Sequence, residues 1–129
     1  MRLALDTNTY RRVMEGDELA VRLVRTSELV LMPVPVIAEL RFGFLNGTKG
    51  QRNEATLARF LDAARVGILP CDEETAKVYA ALKLQLRRQG TPIPINDVWI
   101  AALVLQHDAS LYSLDADFER LPQLRRVAP

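Results

Sequence analysis

The sequence has few of the residues that cross-link small domains or bind zinc. Its 129 residues include a single cysteine, Cys71, and a single histidine, His107. One cysteine cannot close a disulfide within its own chain, and one residue of each type is too small a ligand set for zinc. The longest uninterrupted apolar run, residues 98–105, is far below the roughly 20 residues that a membrane helix needs. The sequence therefore argues against a disulfide scaffold, against a zinc site and against association with a membrane.

Neither sign of charge is in large excess. The chain carries 17 basic and 16 acidic residues, and lysine occurs only at positions 49, 77 and 83, so arginine supplies the other 14 basic residues. Arginine suits bidentate phosphate contacts, although a biased coding composition explains the same usage. Charges at positions 2 and 6 interrupt any signal-peptide core, so we expect a cytoplasmic protein. The 49% hydrophobic content predicts that residues 1–129 form a single domain with its own core.

Short apolar segments alternate with helical patterns along the whole chain. Predicted strands cover residues 2–5, 29–32, 67–70, 109–114 and 124–127, and predicted helices cover residues 18–26, 36–45, 54–65, 73–88 and 98–107. This alternation is typical of an α/β fold with a mostly parallel sheet.

Acidic residues follow two of the predicted strands. Asp6 comes directly after the first strand, and Asp115 comes directly after residues 111–114, with Asp117 two positions later. Ligands of open parallel sheets bind beyond the carboxyl ends of the strands, which is where these acids are expected. Each acid also has a simpler explanation as a helix cap or a turn residue.

Two further acids lie in predicted helices. Asp97 opens a helix whose next eight residues are apolar, and the positive end of that helix favours an ionised carboxylate. Glu39 shares a helical face with Val36, Phe42 and Gly43, so we expect it to be buried and compensated by a partner. Capping explains Asp97 equally well, and a salt bridge to an arginine at the edge of the core explains Glu39.

A divalent cation is the natural partner for such a set of carboxylates. No lysine or histidine stands at a matching strand end to neutralise them. Mg²⁺ and Mn²⁺ prefer carboxylate and water oxygens, and carboxylates that hold them commonly serve phosphate chemistry.

The sequence resembles the PIN domain, specifically the VapC group of toxin–antitoxin ribonucleases. Four motifs carry the resemblance in order, and together they span essentially the whole chain. They are Leu5-Asp6-Thr7-Asn8, Val36-Ile37-Ala38-Glu39-Leu40, Asn96-Asp97-Val98-Trp99-Ile100-Ala101-Ala102 and Ser113-Leu114-Asp115-Ala116-Asp117-Phe118.

The resemblance implies a three-layer fold, with a twisted parallel sheet of four to five strands flanked by helices. The acidic quartet of the family maps onto Asp6, Glu39, Asp97 and Asp115, and Asp117 competes with Asp115 for the last place. Asp6, Asp97, Asp115 and Asp117 become candidate metal ligands, and Glu39 would position or deprotonate the attacking water. Asn8 and Ser113 fall at supporting positions of the family.

The activity implied by the resemblance is Mg²⁺- or Mn²⁺-dependent endonucleolytic cleavage of RNA, leaving a 3′-hydroxyl and a 5′-phosphate. A small VapB-like antitoxin and a homodimer are the implied protein partners. Without the five acids, 11 acidic residues face 17 basic ones, which suits a phosphate backbone. Candidate RNA-facing residues are Arg11, Arg12, Lys49 and Arg52, although an ordinary solvated surface explains them equally well.

Three alternatives stay open at this level. The first is a housekeeping RNA-processing PIN nuclease without an antitoxin, and the second is a catalytically inert RNA-binding or interaction module. A Mg²⁺-dependent phosphotransfer domain is disfavoured, because it requires a lysine just after a late strand and none of the three lysines stands there. The sequence does not identify the RNA target, the number of metal ions or the antitoxin family.

Overall fold

Five short strands form one parallel sheet in the spatial order β3-β2-β1-β4-β5. The strands are β1 Arg2–Leu5, β2 Leu29–Pro33, β3 Val66–Leu69, β4 Ser110–Tyr112 and β5 Arg126–Val127. They belong to a computed structural model that describes residues 1–128. The predicted parallel sheet of four to five strands is confirmed.

Six α-helices flank the sheet in the described part of the chain. They are α1 Thr7–Met14, α2 Glu18–Thr26, α3 Val34–Asn46, α4 Gly50–Leu61, α5 Glu73–Gln89 and α6 Ile95–Gln106. A 3₁₀ turn, Ala116–Arg120, follows β4. Within residues 1–128, none of the helices combines the length and the apolar character needed to cross a bilayer.

Several helix boundaries differ from the predicted ones. The helix predicted over residues 54–65 occupies Gly50–Leu61 instead, because its first turn is polar and lacks a side-chain cap that would mark it. The segment after Asp6, predicted only as a loop or cap, forms α1. Helix α6 begins at Ile95 after the N-cap Pro94, so Asp97 lies inside its first turn rather than at its opening.

The core is built largely from β1 and α6. Leu3, Ala4 and Leu5 of β1 are fully buried, as are residues 101–104 of α6. A helix that is apolar all round must be covered on all sides, and α6 packs against α3, α5, β2 and β4. Each fully buried aliphatic side chain contributes about 1.5–3 kcal/mol of transfer free energy. The apolar run of residues 98–105 is therefore a core helix.

The strand order reverses direction at β1. The chain steps from β1 to β2 to β3 on one side and then returns to form β4 on the other side of β1. In an open parallel sheet such a reversal leaves a crevice at the carboxyl ends of the two strands, where ligands bind. Leu5 pairs with Tyr112 across this junction, so the segments that follow β1 and β4 leave the sheet side by side.

Candidate active site

Asp6 leaves the end of β1 and caps α1. Its side chain is buried, and Oδ1 accepts hydrogen bonds from the backbone N–H and the hydroxyl of Thr9, both at 2.9 Å. The Asp6 N–H donates in return to the Thr9 hydroxyl at 3.0 Å, which completes a capping box. Asp6 is therefore a helix cap, which was the simpler of the two explanations for this acid in the sequence. Its Oδ2 makes no hydrogen bond within residues 1–128, so capping leaves one oxygen free.

The pKa of Asp97 is raised by its burial and by the other acids of the site. The side chain is half-buried, and its pKa rises from 3.8 to about 6. Loss of hydration is the largest cause of the higher pKa, because burial disfavours the charged form. The remaining causes are the negative charges of Asp115, Glu39, Asp6 and Asp117, in that order. All four of the other predicted acids are thus close enough to disfavour ionisation of Asp97.

Three of the acids are arranged as a metal site requires. Asp97, Asp115 and Asp117 each offer one oxygen, and these oxygens all lie within 4.8 Å of one another. Asp115 Oδ1 also accepts the Asp117 N–H at 2.9 Å, and Asp117 pairs with Arg120 at 3.2 Å. Among residues 1–128, no lysine or arginine nitrogen lies within 4.0 Å of the Asp97 or Asp115 carboxylates. Three carboxylates, two of them without a cationic partner, are hard oxygen ligands that fit Mg²⁺ or Mn²⁺.

Glu39 reaches the site from α3, but it is exposed rather than buried. The buried positions nearest to it are Ile37 and Leu40, whereas Phe42 is 70% exposed. Val36, on the same helical face, is fully buried, so this face passes from core to solvent between Val36 and Phe42, and the expected burial of Glu39 is wrong. Glu39 does have a side-chain partner, because the Asn96 amide of α6 donates a hydrogen bond to Glu39 Oε1. The compensating partner is an amide, not a cation.

The two predicted supporting residues differ in their surroundings. Ser113 is fully buried, and its hydroxyl accepts the Asp115 N–H at 3.0 Å, which shapes the turn that presents Asp115. Asn8 is exposed in the first turn of α1, two residues after Asp6. Its predicted role in orienting Asp6 or a metal-bound water stays a prediction.

The predicted RNA-facing residues lie outside the acidic group. Arg11 and Arg12 are exposed on α1, and Arg12 pairs with Asp17 at 3.7 Å. Lys49 and Arg52 line a separate cleft of about 1100 Å³ between the end of α3 and α4. None of the five predicted acids lines this cleft in the described residues.

Sequence reasoning missed two residues that contact the acids. Thr9 bonds to Asp6, and Asn96 bonds to Glu39. The spacing Asp6-x-x-Thr9 is a local capping signal that the sequence does contain. The Asn96–Glu39 contact joins residues 57 positions apart, so it has no local signature.

Comparison with known families identifies the fold. The family model described as the PIN domain matches residues 3–124. The chain belongs to the PIN domain family. Curated relatives of the chain carry ribonuclease names. Ribonuclease VapC5 of Mycobacterium tuberculosis is 31% identical over 117 residues, which are 91% of this chain and 85% of the relative. Ribonuclease VapC2 of Rickettsia felis is 27% identical over 105 residues, which are 81% of this chain and 77% of the relative.

Solved structures share this PIN architecture over nearly the full chain. VapBC2 from Rickettsia felis, bound to a DNA fragment from their promoter, has a TM-score of 0.88 at 24% identity and covers 100% of this chain and 99% of its own. VapBC-1 from nontypeable Haemophilus influenzae has a TM-score of 0.85 at 26% identity, with 99% of this chain and 98% of that chain covered. The PIN domain described here therefore has the same order of strands and helices as these proteins.

Proposed function

We propose that this PIN domain is an endoribonuclease that cleaves RNA phosphodiester bonds and acts as the toxin of a toxin–antitoxin pair. The observation that carries the proposal is the convergence of five acids at the crevice between β1 and β4, where burial and the charges of the other four raise the pKa of Asp97. Relatives named as ribonucleases and neighbours that are VapBC complexes support the substrate and the partner. Residues 1–129 would act as one nuclease domain.

A divalent cation, Mg²⁺ or Mn²⁺, is part of the proposal. Asp97, Asp115 and Asp117 would hold it, since their oxygens already lie close together, and Asp6 would join through its free oxygen, directly or through water. The bound cation supplies an activated water and stabilises the negative charge that develops on the phosphate during cleavage. Asp115 and Asp117 share the last acidic position, because both belong to the group.

Glu39 is assigned to the proton transfer. It stands outside the group of three acids and is exposed, so its carboxylate is free to orient a water and accept a proton from it. The hydrogen bond from Asn96 limits the orientations of Glu39 and leaves Oε2 available.

The exposed basic residues are assigned to contacts with the RNA backbone. Arg11, Arg12, Lys49 and Arg52 carry positive charge on α1 and along the cleft between α3 and α4. Phosphate contacts of this kind supply affinity and orientation rather than sequence selection. A small antitoxin and a second copy of the chain complete the proposed assembly. Because the proposed substrate is RNA, the predicted location stays the cytoplasm.

The decisive test is cleavage of total small RNA by the purified, antitoxin-free protein, with Mg²⁺, with Mn²⁺ and with EDTA. Asp97→Asn should lower the cleavage rate by about a hundredfold or more, because losing a cation ligand removes several kcal/mol of transition-state stabilisation. Asp62→Asn is the matched control, since Asp62 is an exposed acid at the C-terminal end of α4.

The expected result is discrete cleavage that requires a metal, persists in Asp62→Asn and disappears in Asp97→Asn. Cleavage that Asp97→Asn leaves intact would show a contaminating nuclease or a different site. A folded protein that binds RNA but cuts none of it under any metal would favour the inert binding module instead. Rescue of growth by a small neighbouring gene would separate a toxin from a housekeeping nuclease.

A further inference from the structure

Thr9 occupies a central place in the candidate site, although nothing in the proposed chemistry requires it. It is fully buried in the first turn of α1. Its backbone N–H and its hydroxyl both contact Asp6 Oδ1 at 2.9 Å, and its hydroxyl accepts the Asp6 N–H at 3.0 Å. Two donors at Oδ1 leave Oδ2 as the oxygen of Asp6 that is free for a cation or a water.

The Thr9 hydroxyl also reaches the second half of the site. Its oxygen lies 2.9 Å from the carbonyl oxygen of Tyr112, the last residue of β4. Asp115 follows three residues later, at the end of a turn that Ser113 shapes. Thr9 therefore connects the exit of β1, which carries Asp6, with the exit of β4, which leads to Asp115.

A count of protons shows how the hydroxyl is used. A threonine hydroxyl has one proton to donate and two lone pairs. One lone pair accepts the Asp6 N–H, and the single proton is shared among three acceptors, which are Asp6 Oδ1, the Tyr112 carbonyl and the Asp6 carbonyl. Valine, which has nearly the same shape, keeps the backbone bond from residue 9 to Asp6 but loses every contact made by the hydroxyl.

We infer that Thr9 is a positioning residue, which orients the Asp6 carboxylate so that its free oxygen acts on the same cation as Asp97, Asp115 and Asp117. This inference rests on the proposed function. Outer-shell partners of this kind hold a metal ligand in one orientation, and their loss typically lowers metal affinity by about 10- to 100-fold.

The same chain contains a matched control. Asp72 and Thr75 form the same capping box at the start of α5, with the Thr75 N–H 3.0 Å from Asp72 Oδ1 and the Asp72 N–H 2.9 Å from the Thr75 hydroxyl. Thr75 is also fully buried. Its neighbour is Gln106 at the end of α6, about 13 Å along that helix from Asp97. Thr75→Val therefore removes the same local bonds away from the acidic group.

The test compares Thr9→Val, Thr9→Ser and Thr75→Val with the wild-type chain. Mn²⁺ affinity is measured by electron paramagnetic resonance in the absence of RNA, thermal unfolding is measured with EDTA, and cleavage is measured as separate kcat and KM values. We expect Thr9→Val to bind Mn²⁺ at least about tenfold more weakly and to lose kcat with little change in KM. Thr9→Ser, which keeps the hydroxyl, should restore both values, and Thr75→Val should lower only the melting temperature.

The outcomes distinguish failure of the positioning role of Thr9 from failure of the proposed function. Equal Mn²⁺ affinity in Thr9→Val and Thr75→Val would overturn the positioning role and reduce Thr9 to a helix cap. If Thr9→Val fails to fold, Thr9→Ser with wild-type stability and weakened Mn²⁺ binding would equally overturn it, because the hydroxyl alone is held to be sufficient. A wild-type chain that neither binds Mn²⁺ nor cleaves RNA contradicts the proposed function itself.

Discussion

Two regions of this protein differ in charge. The cleft between α3 and α4 has a volume of about 1100 Å³ and is lined by Arg41, Lys49 and Arg52 above apolar side chains. The crevice beyond β1 and β4 instead gathers Asp97 and the four acids whose negative charges act on it.

The difference favours the crevice, where negative charges converge, over the cleft as the place of the proposed chemistry. Clustered carboxylates without cationic partners cost energy, and a fold retains them where a ligand compensates that cost. The cleft between α3 and α4 has its own internal ion pair, Arg41 with Glu54 at 2.8 Å, and needs no such ligand. We therefore assign catalysis to the crevice and backbone binding to the cleft.

Glu39→Gln tests the assignment of catalysis to the crevice. We expect it to lower the cleavage rate more than any other variant except Asp97→Asn. Loss of a group that orients and deprotonates water should lower kcat by about a hundredfold. Mn²⁺ affinity should change far less than in Asp97→Asn, because Glu39 stands outside the group of three acids. Single-turnover cleavage together with a Mn²⁺ titration measures both quantities.

Glu73→Gln, at an exposed position in the first turn of α5, is the control for loss of one negative charge. If Glu39→Gln weakened Mn²⁺ binding as much as Asp97→Asn does, Glu39 would be a metal ligand rather than a proton acceptor.

The second prediction concerns the pH dependence of stability, which we expect to depend on the acidic crevice and not on the cleft. The pKa of Asp97 is about 6 in the folded chain and 3.8 ordinarily, so the folded state binds more protons between these values. Stability of the metal-free protein should therefore fall as pH rises from about 4 through 6. We expect this carboxyl to contribute about 1–2 kcal/mol to the fall, because its partial exposure screens the repulsion.

Chemical denaturation in EDTA between pH 4.5 and 7.5 measures this slope. Asp97→Asn should flatten it and stabilise the metal-free protein at neutral pH, whereas Lys49→Ala should leave it unchanged. An identical slope in wild type and Asp97→Asn would show that other groups cause the pH dependence.

The smallest effect is expected in the cleft. Replacing Lys49 and Arg52 by alanine should weaken binding of single-stranded RNA by a few-fold and reduce the salt dependence of the affinity, since each lost phosphate contact lowers the logarithmic slope by about 0.7. The rate of the chemical step should not change. Fluorescence anisotropy at several salt concentrations measures the slope, and Lys77→Ala on α5 is the control. Equal salt slopes for the double variant and the control would remove the cleft from the RNA path.

Much of the fold was predictable because its signals are local. Residues 18–26 form the predicted helix, and α5 ends before Gly90, which adopts φ +70° as a helix stop requires. Errors occurred where local signals were weak, as in α4, whose polar first turn lacks a side-chain cap. Helix α1 was missed because it is short and buries only Thr9 and Tyr10.

The sequence by itself determined which acids are present, that the apolar helix after Asp97 packs into the core, and that helix capping is one possible role of Asp6. Each of these follows from residue type and from spacing within one or two turns. Tertiary structure alone decided that β1 pairs with β4, that Glu39 is exposed and meets Asn96, and that Thr9 reaches Tyr112 across 103 positions. Parallel strands pair only through long crossovers, so the same local patterns are compatible with several strand orders. The observed order places β4 beside β1, and this pairing brings the acids together.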